Sequence, residues 1–202
     1  MTYGPAQFQT EFNVSHETLA RLEAYDRLLL EESAIHNLIA RSTVERRWDR
    51  HFRDSAQLYA LIPRGARSLV DLGSGAGFPG LVLAALGAAD GLQTVLIEST
   101  GKNAAFLSHA ASAMRLENVA VLPQRVESTT ISPPDVITAR AFARLVKLLA
   151  YAAEIAGEKT LIIAPKGQDV EDELTEASKC WHMKVERRPS VTSPESRILL
   201  IS

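Results

Sequence analysis

A glycine-rich turn directly after a short apolar run constrains the fold of this chain more than any other feature. Residues 68–72 read Ser-Leu-Val-Asp-Leu, and residues 73–80 read Gly-Ser-Gly-Ala-Gly-Phe-Pro-Gly. The apolar run predicts a buried strand, and the alternating glycines permit backbone conformations that a side chain would prevent. A helix is predicted from about residue 77 to about residue 86. In a parallel α/β fold, such a turn binds a ligand beyond the carboxyl end of the first strand.

Two patterns fit this turn, and they predict different cofactors. Residues 75–80 satisfy G-x-G-x-x-G, which is typical of turns that bind dinucleotides such as NAD. In that pattern the first glycine directly follows the strand, whereas here it comes three residues later. The second pattern, D-x-G-x-G-x-G, is typical of class I methyltransferases that bind S-adenosyl-L-methionine, and it is favoured. Its members are Asp71, which would help to hold the methionine ammonium, Gly73, Gly75 and Gly77.

A second carboxylate ends the next apolar run of the sequence. Residues 93–98 read Gln-Thr-Val-Leu-Ile-Glu, so Glu98 lies 25 residues beyond Gly73. A carboxylate roughly 20 residues beyond such a turn commonly binds the ribose of an adenosine. Both NAD and S-adenosylmethionine contain this ribose. Glu98 therefore predicts a nucleoside cofactor without choosing between the two.

The order of the apolar segments predicts the topology of the chain. Strands are predicted at 68–72, 93–98, 118–122, 135–139, 160–165, 181–187 and 196–201, and helices at about 77–87, 101–115, 143–156 and 169–178. Alternating strands and helices predict right-handed βαβ units and a parallel sheet. The last two strands are joined without a helix, which suits an antiparallel hairpin. The predicted fold class is α/β, with the Rossmann-like, seven-stranded and mostly parallel sheet of class I S-adenosylmethionine-dependent methyltransferases.

The first 65 residues predict a helical extension that packs on the core. Ser15 is a plausible N-cap for a helix that continues to about residue 32. Ser42 and Glu45 fit a capping box for a second helix, over about 43–61. Residues 66–202 are then the methyltransferase domain, and the whole chain is effectively a single domain.

Composition and charge narrow the classes of partner. The 202 residues carry a net charge of −2, but residues 1–40 have six acids against two arginines, whereas residues 41–67 have seven arginines against three acids. The positive stretch fits either a phosphate-facing patch or a solvated helix face. One cysteine, Cys180, excludes an internal disulfide and a thiolate metal cluster. No apolar run approaches the roughly 18 residues that span a bilayer, and no signal peptide is evident. We expect a cytoplasmic protein, monomeric, without a metal.

Several stretches together resemble one family, the RsmG (GidB) 16S rRNA guanine-N7 methyltransferases of bacteria. The stretches occur in the family's order and span about residues 20–202. Two positions depart from the family pattern, because Ile39-Ala40 and Ala139 stand where small hydroxyl residues are frequent. The matching stretches are Asn37-Leu38, Arg50-His-Phe-Arg-Asp-Ser55, Asp71 to Gly80, Glu98-Ser99-x-x-Lys102, Arg125-Val126-Glu127, Ala139-Arg-Ala-Phe-Ala143 and Lys166-Gly167.

The resemblance implies a function and a set of site residues. The expected reaction transfers a methyl group from S-adenosylmethionine to N7 of a guanine in the 530 loop of 16S rRNA (position 527 in rRNA numbering), on free RNA or on the small ribosomal subunit. No catalytic residue is certain, and Arg140 would position the reactants. The candidate cofactor-binding residues are Asp71, Gly73, Gly75, Gly77, Phe78, Glu98, Val126, Glu127 and Arg140. The candidate RNA contacts are Arg46, Arg47, His51, Arg144 and Lys166.

The chemistry agrees with a sequence that has no evident catalytic dyad. Guanine N7 carries an in-plane lone pair, so its methylation needs positioning and a suitable electrostatic field rather than a general base. Three other interpretations stay open: an NAD-dependent oxidoreductase, a binding protein that has lost activity, and a methyltransferase for another RNA or a small molecule. His51 and Asp54 share one helix face, where a structural role and a role in substrate binding are equally compatible with the spacing.

Overall fold

A seven-stranded sheet forms the centre of the protein, which is described here from a computed structural model covering residues 3–202. The strand order is β3-β2-β1-β4-β5-β7-β6; the first five strands are parallel, and β7 is antiparallel to both of its neighbours. This topology confirms the predicted fold class. The strands are β1 (Ser68–Leu72), β2 (Gln93–Ile97), β3 (Val119–Leu122), β4 (Val136–Thr138), β5 (Leu161–Lys166), β6 (Val185–Pro189) and β7 (Arg197–Ile201).

Helices cover the sheet and form most of the N-terminal part. No helix within residues 3–202 is both long and apolar enough to cross a membrane. The α-helices are α1 (Pro5–Phe12), α2 (His16–His36), α3 (Asp54–Ala56), α4 (Gly80–Gly87), α5 (Gly101–Ala113), α6 (Leu145–Ala153) and α7 (Val170–Ala177). Short 3₁₀-helices span Arg41–Arg46, Tyr59–Leu61 and Val126–Ser128, and a π-helix spans Trp48–Arg53.

The predicted helix over 43–61 is divided into short segments of different helix type. Ser15 caps α2 as predicted, by accepting a hydrogen bond from the Thr18 N–H at 3.0 Å. The capping box at Ser42 and Glu45 is wrong, because the 3₁₀-helix begins after Ala40 and has no side-chain cap. The π-helix nevertheless buries its two large aromatic residues, Trp48 and Phe52, which stack with ring centroids 4.3 Å apart.

Two other boundaries differ from the prediction for identifiable reasons. Helix α4 begins at Gly80 rather than at residue 77, because Gly77 has a φ of +99°, which a right-handed helix does not permit. Strand β6 begins at Val185 rather than at residue 181. Trp181 and Met183 alternate as a strand would, but they belong to an irregular connector and pack on the core that also contains α7.

Aromatic side chains join the N-terminal helices to the glycine-rich turn. Tyr25 of α2 is fully buried, and its ring lies 5.3 Å from Phe52 and 5.2 Å from Phe78, centroid to centroid. The Tyr25 hydroxyl donates a hydrogen bond to the Ala76 carbonyl within the turn. Phe8 of α1 is buried against Trp48 in the same cluster. The first helices therefore help to fix the edge of the sheet at which the candidate site lies.

Candidate active site

The glycine-rich turn after β1 is a tight, hydrogen-bonded structure at the carboxyl edge of the sheet. Gly73, Gly75 and Gly77 all have positive φ values, of 64°, 55° and 99°. The N–H groups of Gly73 and Ser74 both donate to the Ile97 carbonyl, at 2.9 and 3.1 Å. These two hydrogen bonds join the turn to the end of β2. The three glycines are thus required by the backbone conformation, and they stand together as the sequence predicts.

Asp71 lies beneath the turn and is fully buried. Its carboxylate accepts hydrogen bonds from the Thr138 hydroxyl at 2.7 Å and from the Gly80 N–H at 3.3 Å. Burial raises the pKa of Asp71 to about 6, against the opposing effect of these hydrogen bonds. The structure therefore gives this carboxylate a role in fixing the turn to β4, and its contact with a cofactor ammonium stays a prediction.

Glu98 fixes the outer side of the same turn. One carboxylate oxygen accepts from the Gly75 N–H at 2.8 Å, and the other accepts from the Thr100 N–H at 2.7 Å. Glu98 is only 6% exposed. Each oxygen of a carboxylate can accept two hydrogen bonds, so both retain capacity for a ligand hydroxyl. Asp71 and Glu98 thus hold the turn from below and from the side.

A small cavity of about 140 Å³ opens beside the turn. Gly73 lies at its base, and the buried Val126 and the exposed Glu127 lie on its wall. The Phe142 ring rests directly on Gly73, since a Cβ added there would stand 2.2 Å from Phe142 Cδ2. The ring also contacts Tyr151, with centroids 5.4 Å apart. Phe142 and Tyr151 line this cavity but were not among the predicted site residues, because no local pattern in the sequence shows that residue 142 meets residue 73.

Arg140 follows β4 and is held by partners from the N-terminal part of the chain. Its guanidinium donates to the Asp54 carboxylate at 3.2 Å, to His51 Nδ1 at 3.1 Å and to the Arg50 carbonyl at 3.3 Å. It also lies 5.2 Å from the centroid of the Phe78 ring. Three of the five guanidinium N–H groups are used in this way, so Arg140 is oriented before any ligand binds.

His51 is neutral and has a fixed tautomer in this arrangement. Burial, together with the nearby positive charges of Arg140 and Arg50, lowers the pKa of His51 to about 3. Because a guanidinium can only donate, Nδ1 must accept from Arg140, and the ring proton is therefore on Nε2. Nε2 in turn donates to the Thr43 hydroxyl at 2.9 Å. His51 thus positions Arg140, and neither of its nitrogens is available as a base.

Lys166, at the end of β5, braces the loop 140–144 from the opposite side. Its ammonium donates to the Ala143 carbonyl at 2.7 Å and to the Glu173 carboxylate at 2.8 Å. The same Glu173 oxygen accepts from the Leu145 N–H at 2.6 Å. Arg144 forms an exposed pair with Glu176 at 2.9 Å. Lys166 therefore has a structural role, and its contact with RNA stays a prediction.

A larger cavity of about 430 Å³ adjoins the first one across Phe142 and Ala143, which line both. Five basic side chains and two carboxylates line it, a formal excess of three positive charges. The basic residues are Arg50, Arg140, Arg144, Lys166 and Arg197, and the acidic ones are Asp54 and Glu173.

The remaining candidate RNA contacts lie apart from both cavities. Arg47 is mostly buried and pairs with Asp26 through two hydrogen bonds of 2.5 and 2.9 Å. Asp26 also accepts from the Trp48 indole at 3.0 Å. Arg46 is largely exposed, with a weak pair to Asp49 at 3.3 Å. The structure thus gives Arg47 a structural role, whereas Arg46 is free to meet a partner.

Comparison with known proteins identifies the family. The family model described as rRNA small subunit methyltransferase G matches residues 18–199. The chain belongs to this methyltransferase family. The resemblance found in the sequence is therefore confirmed.

Relatives match over nearly the whole length. The protein named ribosomal RNA small subunit methyltransferase G from Rhodospirillum centenum is 47% identical over all of this chain and 91% of its own. The protein of the same name from Rhodospirillum rubrum is 46% identical, covering 98% of this chain and 96% of its own.

Solved structures of more distant proteins share the fold. A SAM-dependent methyltransferase from Aquifex aeolicus has a TM-score of 0.61 at 14% identity, covering 84% of this chain and 96% of its own. An O-methyltransferase from Bacillus cereus, solved in complex with SAH, has a TM-score of 0.60 at 15% identity, covering 88% and 90%. These structures support the methyltransferase fold alone.

Proposed function

We propose that the protein transfers a methyl group from S-adenosylmethionine to guanine N7 in the 530 loop of 16S rRNA. The observation that carries the proposal is the pair of adjoining cavities at the carboxyl edge of the sheet. The smaller lies on the glycine-rich turn, and the larger has an excess of positive charge, as a site for a polyanion requires. Family membership adds the rRNA substrate, and the choice of N7 rests on the family resemblance and the chemistry below.

The residues present fit S-adenosylmethionine. At Gly73 the smaller cavity has a φ of +64°, which favours glycine, and the missing side chain lets a cofactor approach the main chain. Glu98 retains acceptor capacity for ribose hydroxyls, and Val126 gives an apolar surface for adenine next to Glu127. Cavities for ligands of this size begin at roughly 300 Å³, so the 140 Å³ cavity must enlarge. Rotation of the Phe142 ring away from Gly73 would provide that space.

The residues around the larger cavity suit a reaction without a general base. When bound, S-adenosylmethionine would supply an electrophilic methyl group, which the N7 lone pair could attack in line while the C–S bond breaks and S-adenosylhomocysteine leaves. His51 is neutral and fully engaged, and Asp54 is paired with Arg140, so neither removes a proton. What these side chains do is orient Arg140 beside Phe78. Catalysis by this chain then rests on positioning and on the fixed charge of Arg140.

Further properties complete the proposal. The protein acts as a cytoplasmic monomer without a metal, on 16S rRNA or the small ribosomal subunit. Residues 1–65 and 66–202 work as one unit, because Tyr25 and Phe52 pack on the turn residue Phe78. Cofactor contacts by Asp71, Gly73, Gly75, Gly77, Phe78, Glu98, Val126, Glu127 and Arg140 belong to the proposal, as do RNA contacts by Arg46, Arg144 and Lys166. Arg47 and His51 are already engaged by Asp26 and Arg140, so they would contribute to RNA binding through these partners.

The test uses purified protein and tritiated S-adenosylmethionine, with 16S rRNA and small subunits from a strain that lacks the gene. Label that maps to N7 of one guanine in the 530 loop is the expected result. A Gly75→Val variant is the control, because valine is strained at a φ of +55° although no atom lies nearer than 3.8 Å to the added Cβ. It should stay folded and lose cofactor binding. Cofactor binding by the wild type without transfer to either RNA would contradict the rRNA substrate and favour a methyltransferase for another molecule.

A further inference from the structure

The larger cavity is built from four parts of the chain that are joined to one another across it. Its walls come from the segment 50–54, the loop 140–144, the end of β5 and the loop 190–196 between β6 and β7. The Asp54 carboxylate accepts hydrogen bonds from the Thr192 hydroxyl at 2.6 Å and from Arg140 at 3.2 Å. One side chain thus connects the segment 50–54 to both the loop 190–196 and the loop 140–144. The cavity is therefore formed before a ligand arrives.

Its basic residues fall into two groups according to their partners. Arg140, Arg144 and Lys166 each have a carboxylate partner, at 3.2, 2.9 and 2.8 Å. Arg50 and Arg197 form no ion pair with any residue in the described range 3–202. Their positive charges are the ones within this cavity that no carboxylate offsets.

Arg50 and Arg197 are nevertheless held in place. Arg197 donates to the carbonyls of Pro194 and Ser196 at 2.7 and 2.9 Å, and Arg50 lies 3.5 Å from the Thr192 carbonyl. Main-chain carbonyls orient a guanidinium without neutralising it. Both guanidinium groups thus attach to the same β6–β7 loop at the rim of a cavity large enough for one nucleotide, at about 430 Å³.

We propose that Arg50 and Arg197 together bind one phosphate group next to the target nucleotide, whose base lies in the cavity against Phe142. This inference rests on the proposed function and specifies its substrate site. Two arginines that share a phosphate can each offer it two parallel N–H groups. The target base then lies in the larger cavity, and the cofactor lies in the smaller one. Phe142 lines both cavities, so movement of its ring would let the base and the cofactor meet.

The test measures methylation of an RNA fragment that contains the target guanine by Arg50→Ala, Arg197→Ala and the double variant. We expect the KM for RNA to rise about tenfold or more in each single variant, with kcat changed less than twofold. Because one phosphate is shared and either arginine alone still neutralises it, the slope of log affinity against log salt should fall by less than one unit in each single variant and by about one unit in the double variant.

Arg64→Ala is the matched control. Arg64 is exposed and precedes β1, at the opposite edge of the sheet, and no ion partner for it occurs within residues 3–202. Methylphosphonate linkages placed one at a time along the fragment identify the phosphate. At one position the neutral linkage should weaken binding to the wild type and leave the double variant unaffected. If alanine variants fail to fold, Arg50→Lys and Arg197→Lys keep the charge and should raise KM by a smaller factor.

Two outcomes would overturn the inference. One is a KM and salt slope in both arginine variants that match those of Arg64→Ala. The other is a methylphosphonate scan in which every position affects the wild type and the double variant equally. Both are distinct from failure of the proposed function, in which the wild type itself would transfer no methyl group to the fragment.

Discussion

The glycine-rich turn at 73–80 and the loop at 140–144 follow neighbouring strands, β1 and β4, at the same edge of the sheet, but they are held by different means. The turn is held by its own backbone and by carboxylates close in sequence, Asp71 and Glu98. The loop is held on one side by Asp54, which comes from a segment 86 residues earlier than Arg140, and on the other side by Lys166. Most polar contacts of the turn therefore come from residues near it in sequence, with Tyr25 of α2 added from farther away, whereas Arg140 of the loop depends on the N-terminal segment that contains His51 and Asp54.

The difference assigns different tasks to the two regions. The turn has little room for change, because added atoms at Gly77 and Gly80 would collide with buried neighbours. The loop carries Ala141 at a φ of +52° and an aromatic ring between two cavities. A residue other than glycine in this conformation is strained. We expect the turn to serve as a rigid floor and the loop to adjust when ligands bind.

The largest expected effect comes from filling the turn. A Cβ at Gly80 would lie 2.4 Å from Leu96 Cδ2 and 2.7 Å from the buried Asp71 carboxylate. Gly80→Val should lower the free energy of unfolding by about 3 kcal/mol or more, measured by urea denaturation. Gly101→Ala, where nothing lies within 4 Å, should change it by less than about 1 kcal/mol. Equal stability of the two variants would show that the turn is not rigid.

The loop should respond more in activity than in stability. Asp54→Ala removes the carboxylate that Arg140 and Thr192 share. We expect kcat/KM to fall about tenfold or more, and the free energy of unfolding by about 1–3 kcal/mol. The control is Glu176→Ala, which removes the exposed partner of Arg144. It should leave kcat/KM and the free energy of unfolding unchanged within experimental error. A loss of stability without a loss of activity would show that Asp54 does not position Arg140 for the reaction.

Asp71, which holds the turn, and His51, which holds Arg140 of the loop, should change the stability of the fold with pH in opposite directions. Asp71, with a pKa raised to about 6, stabilises the fold at low pH and loses this contribution as pH rises through 6. His51, with a pKa lowered to about 3, stabilises the fold above pH 6.5 and loses this contribution as pH falls. Between about pH 4 and 6 the two effects oppose each other, each by up to roughly 1.4 kcal/mol per pH unit.

Single substitutions should reveal each effect. Relative to the wild type, Asp71→Asn should make stability fall more steeply on acidification, and His51→Gln should make it fall less steeply or rise. The measurement is the urea midpoint of both variants from pH 4 to pH 7. Parallel curves for the wild type and the variants would mean that neither group is perturbed in the fold.

A smaller effect should follow from removal of the ring that separates the cavities. Phe142→Ala frees the space above Gly73 without a ligand having to displace the ring. Binding of S-adenosylhomocysteine, measured by calorimetry, should become about threefold to tenfold tighter, since displacing the ring costs on the order of 1 kcal/mol. Weaker binding would instead indicate that the ring stacks on the cofactor, and that the loop is as rigid as the turn.

The smallest effect on RNA binding is expected at Arg46 and Arg47, the two candidate RNA contacts that lie outside both cavities. Charge reversal at Arg46 should weaken RNA binding by about twofold to fivefold and slightly reduce its salt dependence. Arg47→Glu should mainly lower stability, because it leaves Asp26 without its partner. Filter binding at several salt concentrations, beside urea denaturation, distinguishes the two. A large change in salt slope for Arg46 would extend the RNA surface well beyond the larger cavity.

The turn and the loop also differ in how far the sequence predicts them. The turn was predictable because Asp71, the glycines and Glu98 all act within 30 residues and follow a recognisable spacing. The pairing of Phe142 with Gly73, and of Arg140 with His51 and Asp54, joins segments far apart in the chain, and no local pattern reports it. Asp71 shows a further limit, since its place at the end of a buried strand was predicted, while its hydrogen bonds to Thr138 and Gly80 were not.

The hydrogen bond between Tyr25 and Ala76 has a consequence for how the chain acquires its structure. Apart from their contacts with each other, α1 and α2 have aromatic partners that come later in the sequence: Trp48 for Phe8, and Phe52, Phe78 and Phe106 for Tyr25. During synthesis these first helices emerge before their later partners, and the aromatic cluster is complete only when Phe106 of α5 has been made. Folding must therefore be late and cooperative for the first half of the protein. A nascent chain halted before residue 106 would be a substrate for chaperones rather than a partly folded enzyme.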